Sequence, residues 1–353
     1  MTGARPTSPA APRPGVRSGW LHDRPVDLTL IFGVTLVACA MGGAAALSPK
    51  LFLPLLLVHS WLFSYDHVIA TFTKLAGLPA DRRRNRALIF YLPPLTVLAV
   101  LSLGQAFGVV ALNSIYFFWQ VFHMARQSWG LLQHYRRRAG ALPWDPPWLS
   151  ELTLWSIVLV GVLHRCQGRP QRFLYMELWT PAVPLWLVWA AALPTLALWL
   201  LWLGMRLAAL RRGELPLGHT LYMLTHLLVF GLAYLWLRDL SAGWLLVNVW
   251  HNLQYLVYVW LHNRQRFAGG VRTDAPWLSW LSQPGARRAA AYFLSCLLLS
   301  TPLFYVLYSI SDRLDLWLDG RLISLTLVAA LSINFHHYLV DGLIWKRARD
   351  PAL

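Results

Sequence analysis

Apolar residues in this chain come in long runs separated by short polar stretches. A helix needs about 20 mostly apolar residues to cross the hydrocarbon of a bilayer. Ten such runs can be read, near residues 26–47, 51–72, 87–104, 106–134, 149–164, 182–205, 219–237, 243–262, 289–310 and 320–345. Prolines and glycines interrupt several of them, as membrane bundles tolerate. The pattern predicts an all-α, polytopic transmembrane bundle of about ten spans over residues 26–345. A Pro- and Arg-rich segment, 1–25, reads as a disordered cytoplasmic tail, and 346–353 as a second, shorter one. No short apolar stretch with a cleavage site follows the first tail, so the first run is expected to stay as an anchor.

Composition agrees with this reading and orients it. The chain is 57% hydrophobic and 13% charged, whereas a soluble domain is about a quarter charged. Its 20 tryptophans, many near segment ends, fit anchoring at the membrane–water interface. A net charge of +16 would suit nucleic acid if it lay on one soluble face. Here it lies in short loops between apolar runs, so no nucleic-acid partner is expected. Counted on alternate sides of ten spans, 23 of the 31 Lys and Arg residues fall on one side and 7 on the other, with Arg126 inside a span. Positive loops stay inside, so both termini are expected in the cytoplasm. With 28 arginines against 3 lysines, the usage suggests a GC-rich bacterial genome and hence a bacterial inner membrane. Cys39, Cys166 and Cys296 are far apart and suggest neither a disulfide framework nor a thiolate metal site.

The histidines carry the chemistry. Ten of the twelve fall at the middle or in the cytoplasmic half of five spans: the second, fourth, seventh, eighth and tenth. Ionisable groups inside a membrane are costly and mark function. At 1.5 Å per residue, His123 and His251 lie about 17 Å beneath the cytoplasmic helix ends, with His59 about as deep. His336 and His337 lie about 12–14 Å down, and His67 and His226 about 8–10 Å. One layer can therefore collect all seven. His134, His219 and His262 fall at the interface, where His134 and His262, beside arginines, suit lipid headgroups.

Two segments echo each other. "HMARQSWGLLQHYRRR" from His123 and "HNLQYLVYVWLHNRQR" from His251 both read H-x10-H-x-R-x-R, with Gln127 and Gln254 shortly after the first histidine. Three helical turns separate the two histidines of each segment. Only the deep ones can share a site. Polar neighbours complete the layer: Asp66 beside His67, with His59 expected on the same face, and Asp341 four residues after His337, a spacing at which both can reach one ion. Buried Arg126 calls for an anionic partner, Asp66 or Asp341. Asp66, Asp341 and Arg126 are thus expected to act in catalysis, the seven histidines to hold metal, and Gln127, Gln254, Tyr255 and Asn334 to support the ligands by hydrogen bonds.

Imidazole with a little carboxylate suits Fe, Zn, Cu or Ni, and more histidines than one zinc takes favour iron, as one ion or two. In this the chain resembles, as a class, the histidine-rich membrane non-haem iron oxygenases and desaturases; the adjacent His336–His337 pair is similar to their histidine boxes. "FFWQVFHMARQSW" and "FHHYLVDGLIW" also look similar to stretches of the bacterial membrane carotene dioxygenases. That resemblance implies ligand or supporting roles for His123, His336, His337 and Asp341. The resulting expectation is a metal-dependent oxygenase, hydroxylase or desaturase acting on a lipid or isoprenoid from the bilayer, supplied with electrons from the cytoplasm. The alternatives are a haem-binding electron-transfer protein, with His123 and His251 as paired axial ligands, and a proton-coupled transporter.

Overall fold

A computed structural model of the chain describes residues 19–140, 142 and 144–345. The tail expected over 346–353 and most of that expected over 1–25 lie outside these residues. Residues 19–23 lead into the first helix, where the Asp27 carboxylate accepts the backbone N–H groups of Leu21 and His22 at 2.7 and 3.2 Å.

The described residues form long helices in the order α1 (Arg24–Leu47), α2 (Pro49–Ala76), α3 (Ala87–Ala139), α4 (Pro147–Gly168), α5 (Leu185–Arg211), α6 (Leu217–Trp236), α7 (Leu240–Arg266), α8 (Ala286–Leu318) and α9 (Leu325–Ile344). Strand among them is confined to a two-residue hairpin, Arg172–Phe173 with Met176–Glu177. All of these helices except α7 are long and apolar enough to cross a membrane, eight in number. They turn large apolar side chains outward: Leu36, Trp236, Leu316 and Trp317 are each more than three-quarters exposed. A water-soluble monomer rarely carries so much apolar surface.

Two features separate this count from the sequence pattern. The first is α3, whose 53 residues would form a rod of about 80 Å if straight, far longer than the hydrocarbon is thick. It is broken at Gly108, which has φ +81° and ψ 172°, a conformation open mainly to glycine. A methyl group on Gly104 would lie 2.7 Å from Leu112 Cδ1. Residues eight apart stand about 12 Å apart along an unbroken helix, so the two stretches fold against each other at the break. The second is α7. It is long enough to span, but Asn248, His251, Asn252, Gln254, His262 and Asn263 lower its hydropathy, and all six are buried.

Helix α7 is the hub of the bundle, packing on α1, α2, α3 and α6. Gly42 of α1 allows the closest approach: a Cβ there would meet Leu246 Cβ at 2.5 Å. Against α3, α7 makes polar contacts. Trp244 Nε1 donates to Gln120 Oε1 at 2.6 Å, Gln120 Nε2 to Asn248 Oδ1 at 3.3 Å, and Gln127 Nε2 to the His251 carbonyl at 3.1 Å. Such interhelical bonds in membranes contribute about 0.6 kcal/mol each on average. Their main effect here is to fix the rotation of α7, and so the direction of His251.

Candidate metal centre

Four helices each bring one histidine to a common point beside α7. His67 (α2), His123 (α3), His251 (α7) and His337 (α9) are all buried. Ring centroids lie 4.7 Å apart for His67–His337, 4.9 Å for His123–His251, 5.1 Å for His123–His337 and 6.1 Å for His67–His251. His67 Nε2 and His337 Nε2 are 3.3 Å apart. Two overlapping sets place three ligand atoms within 4.8 Å of one another: His67, His251 and His337, and His123, His337 and Asp341. His337 belongs to both.

Asp341 sits one turn after His337 on α9, and its carboxylate is firmly held. Tyr255 Oη and Trp345 Nε1 both donate to Oδ1 at 2.6 Å. That fixes the carboxylate's orientation and leaves Oδ2 for another partner. Thr71 of α2 links the same groups, its Oγ1 lying 3.2 Å from His337 Nδ1 and 3.2 Å from Tyr255 Oη. His123 is stacked on the Tyr338 ring at 4.3 Å. Buried polar atoms normally have partners. Yet His67 Nδ1, His123 Nε2 and His251 Nδ1 are buried and accept or donate no hydrogen bond. His123, His337 and Asp341, with His67 and His251 sharing His337 beside them, supply the imidazole and carboxylate donors that a transition-metal ion takes, and the residues fit one.

Beside this cluster a cavity of about 180 Å³ opens between α3 and α9. His123 and Asp341 face it, together with Trp119, Arg126, Gln127 and Tyr338. His67, His251 and His337 lie behind them.

The remaining sequence-predicted residues divide. Gln127 and Tyr255 stand at the centre, through the His251 carbonyl and Asp341. His59 is one layer away, with Nε2 3.4 Å from Asn252 Nδ2 and its ring edge-on to Trp244. Both His59 and His67 face α7, the π-helical turn at Ser60–Ser64 lying between them, but His59 meets Asn252 and Trp244, a turn away from the His251 and Tyr255 that His67 meets, and joins neither ligand set. Asp66 adjoins His67 and therefore points about 100° away from it. It is buried, its Oδ1 has no partner, and it joins neither ligand set.

His226 does not reach the cluster: its Nδ1 lies 2.8 Å from Ser128 Oγ and its Nε2 3.2 Å from the Leu154 carbonyl. His336 faces the other way from His337. Its Nε2 is bonded to the Leu88 carbonyl at 2.9 Å and its ring stacks on Phe72. Gln254 bridges Tyr222 and the Ile31 carbonyl, and Asn334 bonds its own helix at Ala330. Arg126 is exposed rather than buried and makes no direct ion pair with Asp66 or Asp341, although its charge acts on Asp341 from the same cavity. Its guanidinium donates to the Gly342 carbonyl at 2.9 Å, in a space that a Cβ on residue 342 would close, 2.8 Å from Nη1. Thr71 and Trp345 were not among the expected residues. Their residue types do not mark them, but Thr71 lies one turn after His67 and Trp345 one turn after Asp341, so the i, i+4 spacing was a signal for both.

No protein-family model, curated protein or solved structure matches this chain.

Proposed function

We propose that this chain is a multi-pass membrane oxidoreductase whose His-rich centre holds iron and acts on a lipid or isoprenoid substrate as an oxygenase, hydroxylase or desaturase. The observation that carries the reading is the buried set His123, His337 and Asp341. Two imidazoles and one carboxylate form the facial donor set typical of non-haem iron(II) oxygenases. His67 and His251 stand behind it, as further ligands to the same ion or, with His337, as the site of a second. The small cavity favours an ion over haem, because pockets that bury larger ligands run to about 300–1,000 Å³.

When bound, iron would supply dioxygen activation, with electrons drawn from a reduced carrier in the cytoplasm. The chain's own residues do the rest. Tyr255, Trp345 and Thr71 hold the carboxylate and His337 in place. Gln127 fixes the His251 backbone. His123 and Asp341 form the wall presented to the substrate, among the aromatic rings of Trp119, Tyr338 and Trp345.

The topology belongs to the same proposal. The break at Gly108 divides α3 into two crossings, and α7 spans with its polar side chains turned inward. Ten crossings result, with the arginine-rich loops and both termini in the cytoplasm of a bacterial inner membrane.

Elemental analysis of detergent-purified protein, followed by its optical spectrum, tests the metal. Iron at one or two per chain is expected, with His123→Ala and Asp341→Asn losing both iron and activity. Protein that turns over substrate while free of metal would sink the reading, and a Soret band would replace iron by haem.

A further inference from the structure

The cavity at the histidine cluster is one of three that follow each other along α3. Toward the arginine-rich end, His134 and Tyr258, joined by a 2.7 Å hydrogen bond, line both this cavity and a second of about 600 Å³. His22, Arg137, Arg138, His262 and Arg264 also line that second space, and among the described residues no Asp or Glu does. Toward the opposite end, Trp119 is shared with a third cavity of about 680 Å³, walled by Phe107, Ile115, Phe118 and Trp179. One stretch of α3, from residue 107 to 138, thus runs from an apolar chamber, past His123, to a basic one.

We propose that this groove binds an amphiphile with a phosphate headgroup, the phosphate seated among Arg137, Arg138 and Arg264 and the apolar chain lying past His123 into the apolar chamber. Basic residues near helix ends offset the helix dipole, and the last turns of α3 and α7 are used in this way. What exceeds that need is convergence: Arg138 and Arg264, from two different helices, line one open space that no carboxylate lines among the described residues. Arg138 forms no hydrogen bond or ion pair with a described residue, and Arg264 has only the Trp260 ring, 5.7 Å away. Both guanidiniums remain able to grip a phosphate. A membrane lipid is favoured over free phosphate because the basic space shares the His134–Tyr258 wall with the cavity at His123, and that cavity shares Trp119 with an apolar one. His123 lies eleven residues from His134, about 16 Å along the helix, so the segment beside His123 is well down the chain. This choice of substrate rests on the proposed function; the binding groove does not.

The test uses detergent-purified full-length protein and a phosphatidylglycerol with a photoreactive diazirine in mid-chain. Irradiation is expected to label residues 119–131. The matching diazirine diacylglycerol, which lacks phosphate, is expected to label them at least tenfold less. Arg138→Ala/Arg264→Ala should lose the labelling at least tenfold, and Arg138→Lys/Arg264→Lys should retain most of it. Gly130→Trp should also abolish it, because a Cβ at that position meets open space and the indole fills the middle cavity. Iron content, measured in parallel, reports folding and keeps the two readings apart. Labelling as expected in a metal-free protein overturns the proposed function alone. Normal iron with equal labelling by the diacylglycerol, or with labelling indifferent to the arginines, overturns the groove. Displacement of the phosphatidylglycerol by millimolar inorganic phosphate, without any labelling of 119–131, assigns the basic space to free phosphate and likewise overturns it.

Discussion

His226 and His123 are both buried histidines on membrane helices, and only their partners tell them apart. Both ring nitrogens of His226 are engaged by Ser128 and Leu154, whereas His123 Nε2 has no partner. His226→Ala is therefore expected to cost about 1–3 kcal/mol, the range for stranding a buried hydrogen-bonding group, and to leave iron content unchanged. Tyr255→Phe should do the reverse. It removes one of two bonds to Asp341 Oδ1, and losing such a supporting bond typically weakens a metal 10–100-fold with little change in the melting of the metal-free protein. Metal titration and thermal unfolding of the two variants, read side by side, check the assignment; a His226 variant that loses its iron would return that residue to the site.

At the scale of elements, what could be read in advance and what could not follows from rotation. Depth along a helix is linear in sequence, so the placing of His67, His123, His251 and His337 in one layer was legible. So was the one-turn spacing of His337 and Asp341. Facing is not linear. His336 and His337 differ by about 100°, and one of them reaches Leu88 instead of the cluster. The Gln120–Trp244 contact sets a rotation that no periodicity encodes. Gln254 and Asn334 were misjudged for the same reason.

The Gly108 break carries its own expectation. In a chain with the three native cysteines replaced, Phe107→Cys and Arg138→Cys should react with a membrane-impermeant thiol reagent from opposite sides. Phe107 is 69% exposed and tolerates the change. Reaction of both from one side would remove a crossing and reverse every span after it.

For the whole molecule, the centre joins parts of the chain that are remote in sequence: His67 and His337 are 270 residues apart. Each of α2, α3, α7 and α9 contributes one histidine, so an ion held there ties four helices through their cores. An ion that binds only the folded bundle stabilises it by mass action, about 2.7 kcal/mol when its free concentration is a hundredfold above Kd. Stripping the purified protein with a chelator should therefore lower its melting temperature, and adding iron(II) should restore it. His123→Ala/His251→Ala, which leaves the His67–His337 contact and the α3–α7 side-chain bonds of Gln120 in place, should melt at one temperature whether or not iron is present. The wild type should show two. If instead the stripped and loaded wild-type proteins unfold together although iron has demonstrably left, the cluster does not bind its ion across helices. The orphaned nitrogens of His67, His123 and His251 would then need another partner.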